Sequence, residues 1–244
     1  VRKVGIGVPG MISKDRAAAI RMANFPEMNG FDLIPRLHAA FPEHEFHLEN
    51  DANAAALGEY HFGIEDAPEN FLFVTLGTGV GGAAIIDGRI FTGADGNGME
   101  LGHTVCSAGT SLEEQLGKPG LLAMAARILD SGGDVESRLY EKRPLTAKKV
   151  VKACVKGDPV GVEVFRRGGR FLGEGLINAI RLLDVKSIYI GGGVGKTFDY
   201  VVGSAREVLE ERLPEYYLKD LEIKMATLGN NAGIIGAASL CFLD

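Results

Sequence analysis

The sequence is poor in cysteine and has no closely spaced pair of them. Its 244 residues include only Cys106, Cys154 and Cys241, which are far apart and odd in number. That excludes a disulfide framework and reads as reduced thiols in a cytosolic protein. No C-x-C or C-x-x-C occurs, so a cysteine-rich zinc site has no ligands to draw on. Basic charge is also short. Lys and Arg total 26 against 32 Asp and Glu, a formal net charge of -6. That balance disfavours the grip on phosphate backbones that nucleic-acid binding needs. No apolar run approaches the length of a membrane span, and no signal peptide is visible. Linkers, low-complexity segments and tandem repeats are absent from the sequence as well.

What remains is an ordinary soluble composition, 46% apolar and 24% charged. The length suits one large domain or two small ones with a sizeable core. Glycine is abundant at 34 residues, which points to tight turns and close backbone approaches. The first residue is Val1, and it leads at once into an apolar segment, so the true start is expected upstream.

The pattern along the chain is mixed α/β. VGIGVPG (4–10) reads as a buried strand and turn, and EFHLEN (45–50) as a short strand. FDLIPRLHAAF (31–41) has helical spacing, with Pro35 confined to a first turn or breaking it. DANAAALGEYHF (51–62) is an alanine-rich helix. FLFVTL (71–76) and AAIID (83–87) are strands joined by a glycine turn. SLEEQLGKPGLLAMAARIL (111–129) is helical with a break near 117–119, and SGGD (131–134) is a turn. TAKKVVKACVKG (146–157) is a helix with Thr146 placed as N-cap. PVGVEVFRRGGRFLGEGLINAIRLLD (159–184) reads as a long helix interrupted by glycines. SIYIGGGVG (187–195) is a strand into a glycine turn, and FDYVVGSAREVLEERL (198–213) a helix. LEIKMATL (221–228) is a strand and AGIIGAASLCFL (232–243) a closing helix.

Two glycine turns invite a phosphate reading. LGTGVGG (76–82) follows a strand, but another strand follows it, whereas a dinucleotide fingerprint needs a helix there. It is a hairpin whose amides, with Thr78, either close a turn or nest around phosphate oxygens. GGGVGKT (191–197) ends like a Walker loop, but Ile190 stands where that loop needs its first glycine. This weighs against a P-loop NTPase. Three glycines after a strand still let a flat ring, adenine or ribose, lie on the backbone.

Two polar stretches could carry chemistry. Glu49, Asn50 and Asp51 stand at a strand-to-helix junction. Asn50 or Asp51 can be a simple N-cap. Alternatively, the positive helix end keeps Asp51 ionised, so that it accepts a proton from a substrate hydroxyl. The two roles are compatible. MELGHTVCSAGTSLEE (99–114) gathers Glu100, His103, Cys106, Glu113 and Glu114. It reads as a metal site, as hydrogen-bonding groups for a polar ligand, or as a solvated loop.

Taken in order, VGIGVPG, ENDANAAALGE, TLGTGVGGA, GMELGH, IGGGVG and LGNNAGIIGAA resemble the ROK family of sugar kinases and repressors over nearly the whole chain. The resemblance implies an α/β, actin/hexokinase-like (ribonuclease H-like) two-lobed fold with an incomplete N-terminal lobe. Residues 1–66 would be that partial lobe. Residues 67–244 would hold the nucleotide loops and sugar clamp, with the last helix able to return to the first lobe. It implies Asp51 as the general base for the sugar 6-hydroxyl. Asn24, Asn50, Glu100, His103 and Glu113 would hold the sugar. Gly77, Thr78, Gly79 and Gly191, Gly192, Gly193 would hold the nucleotide. ATP and Mg2+ are the implied cofactors, the location is cytoplasmic, and a homodimer is a candidate assembly.

The sequence departs from the family pattern twice. The family's zinc loop, C-x-C-G-x-x-G-C, is missing. Only Cys106 lies between His103 and Glu113, too few ligands for structural zinc. Packing and backbone bonds are expected to hold that loop, with no metal ligated. The family's D-x-G-G-T phosphate hairpin would lie upstream of Val1. The expected function is ATP-dependent phosphorylation of a hexose, glucose first. The rival from the same family is a sugar-sensing transcription regulator whose DNA-binding segment is not in this chain.

Overall fold

The computed structural model describes residues 2–22, 24–131 and 135–242. Of the turn expected at 131–134, only Ser131 is among them. The chain forms two compact units. One comprises Val1–Val74, Gly82–Glu100 and Ala226–Asp244, and the other Thr75–Gly81 and Leu101–Met225.

In the first unit, β1 (Lys3–Val8) and β4 (Glu45–Asn50) pair in parallel, with Lys3 opposite Glu45 and Val8 opposite Asn50. Short strands β2 (Met11–Ile12) and β3 (Ala19–Arg21) pair antiparallel between them in sequence. Helix α1 (Leu33–Ala40) carries Pro35 as its third residue. A missing amide costs nothing in a first turn. Val8, Ile12, Ala19, Met22 and Leu48 form the buried core of this region, with Ile6, Met28, Leu33 and Ile34 packed on it.

Helix α2 (Asp51–Gly58) continues as one π turn, Glu59–Gly63. Its residues are small because another backbone must lie against it. Helix α9 (Ala232–Ser239) does so. A Cβ on Gly236 would stand 1.6 Å from the Ala54 carbonyl oxygen, and one on Gly5 1.7 Å from that of Ala237. Only glycine fits either position. Buried Glu59 ties down the approach to α9, accepting from the Thr227 amide at 3.0 Å and the Leu228 amide at 2.8 Å. Strands β5 (Phe71–Leu76) and β6 (Val80–Ile86) divide between the units, and β6 pairs antiparallel with β7 (Arg89–Ile90).

The second unit is mostly helical. It contains α3 (Leu112–Leu116), α4 (Lys118–Asp130), α5 (Ala147–Val155), α6 (Pro159–Leu183), α7 (Phe198–Arg212) and α8 (Glu215–Leu218). Strands β8 (Ser187–Gly192) and β9 (Glu222–Met225) pair in parallel. Thr146 caps α5 as expected, accepting from the Lys149 amide. The glycines of α6 do not interrupt it. The helix runs unbroken for 25 residues, capped by Asp158 and ended at Asp184 with φ of 50°. Two of its glycines mark where α7 comes close: a Cβ on Gly169 would meet the Val201 carbonyl oxygen at 2.2 Å and one on Gly173 the Ala205 carbonyl oxygen at 2.8 Å, while Gly161 faces α5. Among the described residues, no helix is long and apolar enough to cross a membrane.

Candidate functional site

In the first unit the polar residues converge on the start of α2. Asn50 is the N-cap: its Oδ1 accepts from the Ala52 amide at 2.8 Å and the Asn53 amide at 3.1 Å. Its Nδ2 donates to the Gly10 carbonyl at 3.1 Å, which leaves one amide hydrogen for a ligand. Asp51 is the first helical residue and is exposed. The surrounding protein still strips enough water from its carboxyl to hold the pKa above the ordinary 3.8. The Ala52 amide, 2.9 Å from Oδ1, pulls the other way and loses. The helix end favours the ionised form, but desolvation outweighs it. A carboxylate so placed is a stronger base than a solvated one.

Glu49 lies beneath this junction and is buried. Its Oε1 accepts from Arg16 Nη1 at 2.9 Å, the Asn50 amide at 2.8 Å and Asn53 Nδ2 at 3.0 Å. Three donors satisfy one oxygen of this buried carboxylate, and they fix the backbone on which Asn50 and Asp51 stand. Asn24 is exposed in the turn after β3. No hydrogen bond among the described residues links it to Asn50 or Asp51. Glu100, also exposed, closes the second segment of this unit.

In the second unit the turn before β6 is a tight hairpin, with the Gly77 amide donating to the Gly79 carbonyl at 2.9 Å. Glu113 reaches into it, and its Oε2 accepts from the Val80 amide at 2.9 Å. Glu113 is free to do so because Glu114 takes the other task of the sequence. Ser111 and Glu114 form a capping box that starts α3. His103 ends the 3-10 turn Leu101–His103 and is exposed.

Backbone bonds close the short loop between His103 and Glu113. Val105 bridges to Ser111, the Cys106 amide donates to the Thr110 carbonyl at 2.9 Å, and the Gly109 amide to the Cys106 carbonyl at 2.9 Å. The Cys106 thiol also donates to the Thr110 carbonyl. Glu174 on α6 holds the loop from outside, accepting from the Ser107 amide at 2.8 Å. Among the described residues, no three His, Cys, Asp or Glu side chains are grouped to hold a metal ion.

Beside the hairpin is a cleft of about 290 Å3 within the second unit. Leu76, Leu116, Leu121, Val150, Val151 and Phe165 supply its apolar walls, and Gly77, Thr78 and Gly193 its backbone edge. Lys118 is the cation among its lining residues. Gly192 has φ of 83°, and a Cβ there would stand 2.3 Å from the Leu76 carbonyl oxygen. The Gly193 amide donates to that oxygen at 2.6 Å. The glycines after β8 therefore let the loop lie on the end of β5. Apolar walls with a polar edge suit a flat heteroaromatic ring.

The family profile described as ROK family matches residues 1–242. The chain belongs to the ROK family. It is 33% identical to a glucokinase of Halalkalibacterium halodurans over 97% of this chain and 75% of that protein. The solved ROK family glucokinase from Streptomyces griseus, in complex with glucose and AMPPNP, matches with a TM-score of 0.87 and 28% identity. That match covers 99% of this chain and 82% of the other. A xylose repressor of Caldicellulosiruptor bescii is 27% identical over 99% of this chain and 62% of the repressor. The actin/hexokinase-like fold expected from the motifs is the fold of this ROK chain. Its glucokinase relatives support a sugar-kinase activity.

Sequence reasoning missed two parts of the site in this ROK chain. Nothing local in ENDANAAALGE gives Glu49 a role or points to Arg16. Their partnership joins positions 33 apart and leaves no local pattern. The cleft draws its apolar wall from α3, α4, α5, α6 and α7. Each contributes residues that, read alone, are ordinary core positions.

Proposed function

We propose that this chain carries the working residues of an ATP-dependent hexose kinase, with glucose as the leading substrate. The observation that carries the reading is Asp51. It is the first residue of a capped helix, its backbone is fixed by Glu49, and its carboxyl is made more basic by desolvation. In this reading Asp51 accepts the proton of the sugar 6-hydroxyl as that oxygen becomes a nucleophile. Asn24, Asn50, Glu100, His103 and Glu113 orient the sugar through its hydroxyls.

The apolar cleft in the second unit suits the adenine ring, and the Gly77–Thr78–Gly79 hairpin the phosphates. Gly191, Gly192 and Gly193 then form the nucleoside-side loop. Bound ATP with Mg2+ would supply the phosphoryl group.

The test is glucose phosphorylation by the full-length protein, followed through ADP release. Asp51→Ala is expected to lower kcat by about 10²- to 10⁴-fold, the usual worth of a general base. A variant that keeps near-normal turnover removes Asp51 from that role.

The likeness to the xylose repressor across 99% of this chain favours one second reading, a sugar-sensing regulator. A regulator would bind sugar without turning over ATP. The same assay on the unaltered protein separates the two.

A further inference from the structure

We propose that Glu113 is the positioning residue of the Gly77–Val80 hairpin and couples sugar binding to nucleotide binding. The inference rests on the reading of that hairpin as the phosphate-side element. Glu113 stands in the second position of α3, where the capping box of Ser111 and Glu114 sets the backbone. Its Oε2 accepts from the Val80 amide at 2.9 Å. A Cβ on Gly79 would come within 2.1 Å of the same oxygen, so the carboxylate fills the space a side chain would need. A side chain at 79 would therefore push the Glu113 carboxylate off the hairpin.

The join is made a second time next door. The Lys118 amide donates to the Thr78 carbonyl at 3.1 Å, and a Cβ on Gly117 would meet the Glu113 carbonyl oxygen at 2.7 Å. The turn from α3 to α4 is thus bonded to the same hairpin that Glu113 holds. The other carboxylate oxygen, Oε1, makes no hydrogen bond among the described residues. It is left to accept from a sugar hydroxyl. One carboxylate then touches the sugar with Oε1 and sets the hairpin with Oε2. A sugar bound to Oε1 fixes the side chain and, through it, the Val80 amide. Nucleotide affinity should rise with sugar bound, and by linkage sugar affinity should rise equally with nucleotide bound.

The experiment uses the full-length protein, AMPPNP as a non-transferring nucleotide, and glucose. Nucleotide affinity is measured by calorimetry with and without glucose, and amide exchange at Val80 in the ligand-free protein. In the unaltered protein glucose is expected to tighten AMPPNP binding. Glu113→Ala is expected to weaken AMPPNP about tenfold even without glucose, as loss of a charged hydrogen bond does. It should also speed exchange at Val80 and abolish the effect of glucose. Glu113→Gln keeps an acceptor oxygen and should restore both affinity and protection to within about threefold.

Unchanged nucleotide affinity and unchanged Val80 exchange in Glu113→Ala, with glucose binding lost, would overturn the proposal and leave Glu113 a sugar ligand only. An unaltered protein that binds glucose but no AMPPNP overturns the kinase reading instead, and this inference with it. If Glu113→Ala fails to fold, Glu113→Gln decides. Loss of Val80 protection in a folded Glu113→Gln chain contradicts the positioning role.

Discussion

Arg16 Nη1 lies 2.9 Å from Glu49 Oε1, and Arg16 makes this contact from a left-handed backbone with φ of 58°. The ion pair is thus bought with strain in the loop between β2 and β3. Arg16→Gly relieves the strain and Arg16→Ala does not. Both lose the ion pair, so the glycine variant should be the more stable by about 1 kcal/mol in urea unfolding. Glu49→Ala removes the acceptor of three donors and should cost about 2 to 3 kcal/mol. It should also lower kcat and raise the KM for sugar together, because the backbone it fixes carries both the proposed base Asp51 and the sugar-side Asn50.

The raised pKa of Asp51 sets the sign of two pH effects. The acid limb of kcat/KM should fall above pH 3.8, since the base must be ionised to act. A folded pKa above the unfolded one means that the folded state holds its proton more tightly. Stability from that source is present at low pH and is lost as the pH rises through the folded value. Asp51→Asn should therefore raise Tm at pH 7, and the gain should vanish as the pH is lowered past that range. A variant that loses both activity and neutral-pH stability contradicts the desolvated-base description.

Gly236→Ala is the sharpest packing test. Its Cβ would stand 1.6 Å from the Ala54 carbonyl oxygen, and backbone is on both sides of the clash. The cost should reach or exceed about 3 kcal/mol, the upper end for overpacking. Gly233→Ala, in the same helix with nothing within 4 Å of its Cβ, should be neutral or slightly stabilising. Thermal melts of the two variants read the difference directly.

The three thiols should separate by reactivity. Cys154 is fully buried, and burial pushes its pKa up to about 11. Cys106 is buried and donates to the Thr110 carbonyl. Cys241 is only partly covered. Iodoacetamide at pH 8 should label Cys241 well before the others in the folded protein, with all three labelled in denaturant. Early labelling of Cys154 would show that the packing of α5 opens readily.

Much of the fold is legible where one element carries its own signal. ENDANAAALGE marks a strand, a cap and a helix in eleven residues, and LGTGVGG marks a hairpin because a strand follows it. The two-residue strands β2 and β7 and the four-residue α8 are too short to show a period. The glycines of α6 mislead for a different reason. In a local reading they lower helix propensity, but neighbouring helices, α7 at Gly169 and Gly173 and α5 at Gly161, come too close for a side chain there. The site divides in the same way. The capping role of Asn50 is local and readable. The bonds from Arg16 to Glu49 and from Glu113 to Val80 each span 33 residues, and only the folded chain brings those pairs together.

The contact of α2 with α9 has a consequence for synthesis. A ribosome that has released residues 1–66 has already made Glu49, Asn50 and Asp51. The backbone groove at Ala54 and Gly58 stays empty until Gly236 emerges. Chains are made at roughly 5 to 20 residues per second, so that interval lasts on the order of ten seconds or more. Throughout it the proposed base sits on a helix with one flank bare. The segment that carries the proposed base is therefore made well before the helix that seats it, and a chain stalled before α9 would carry the general base without the support that holds it.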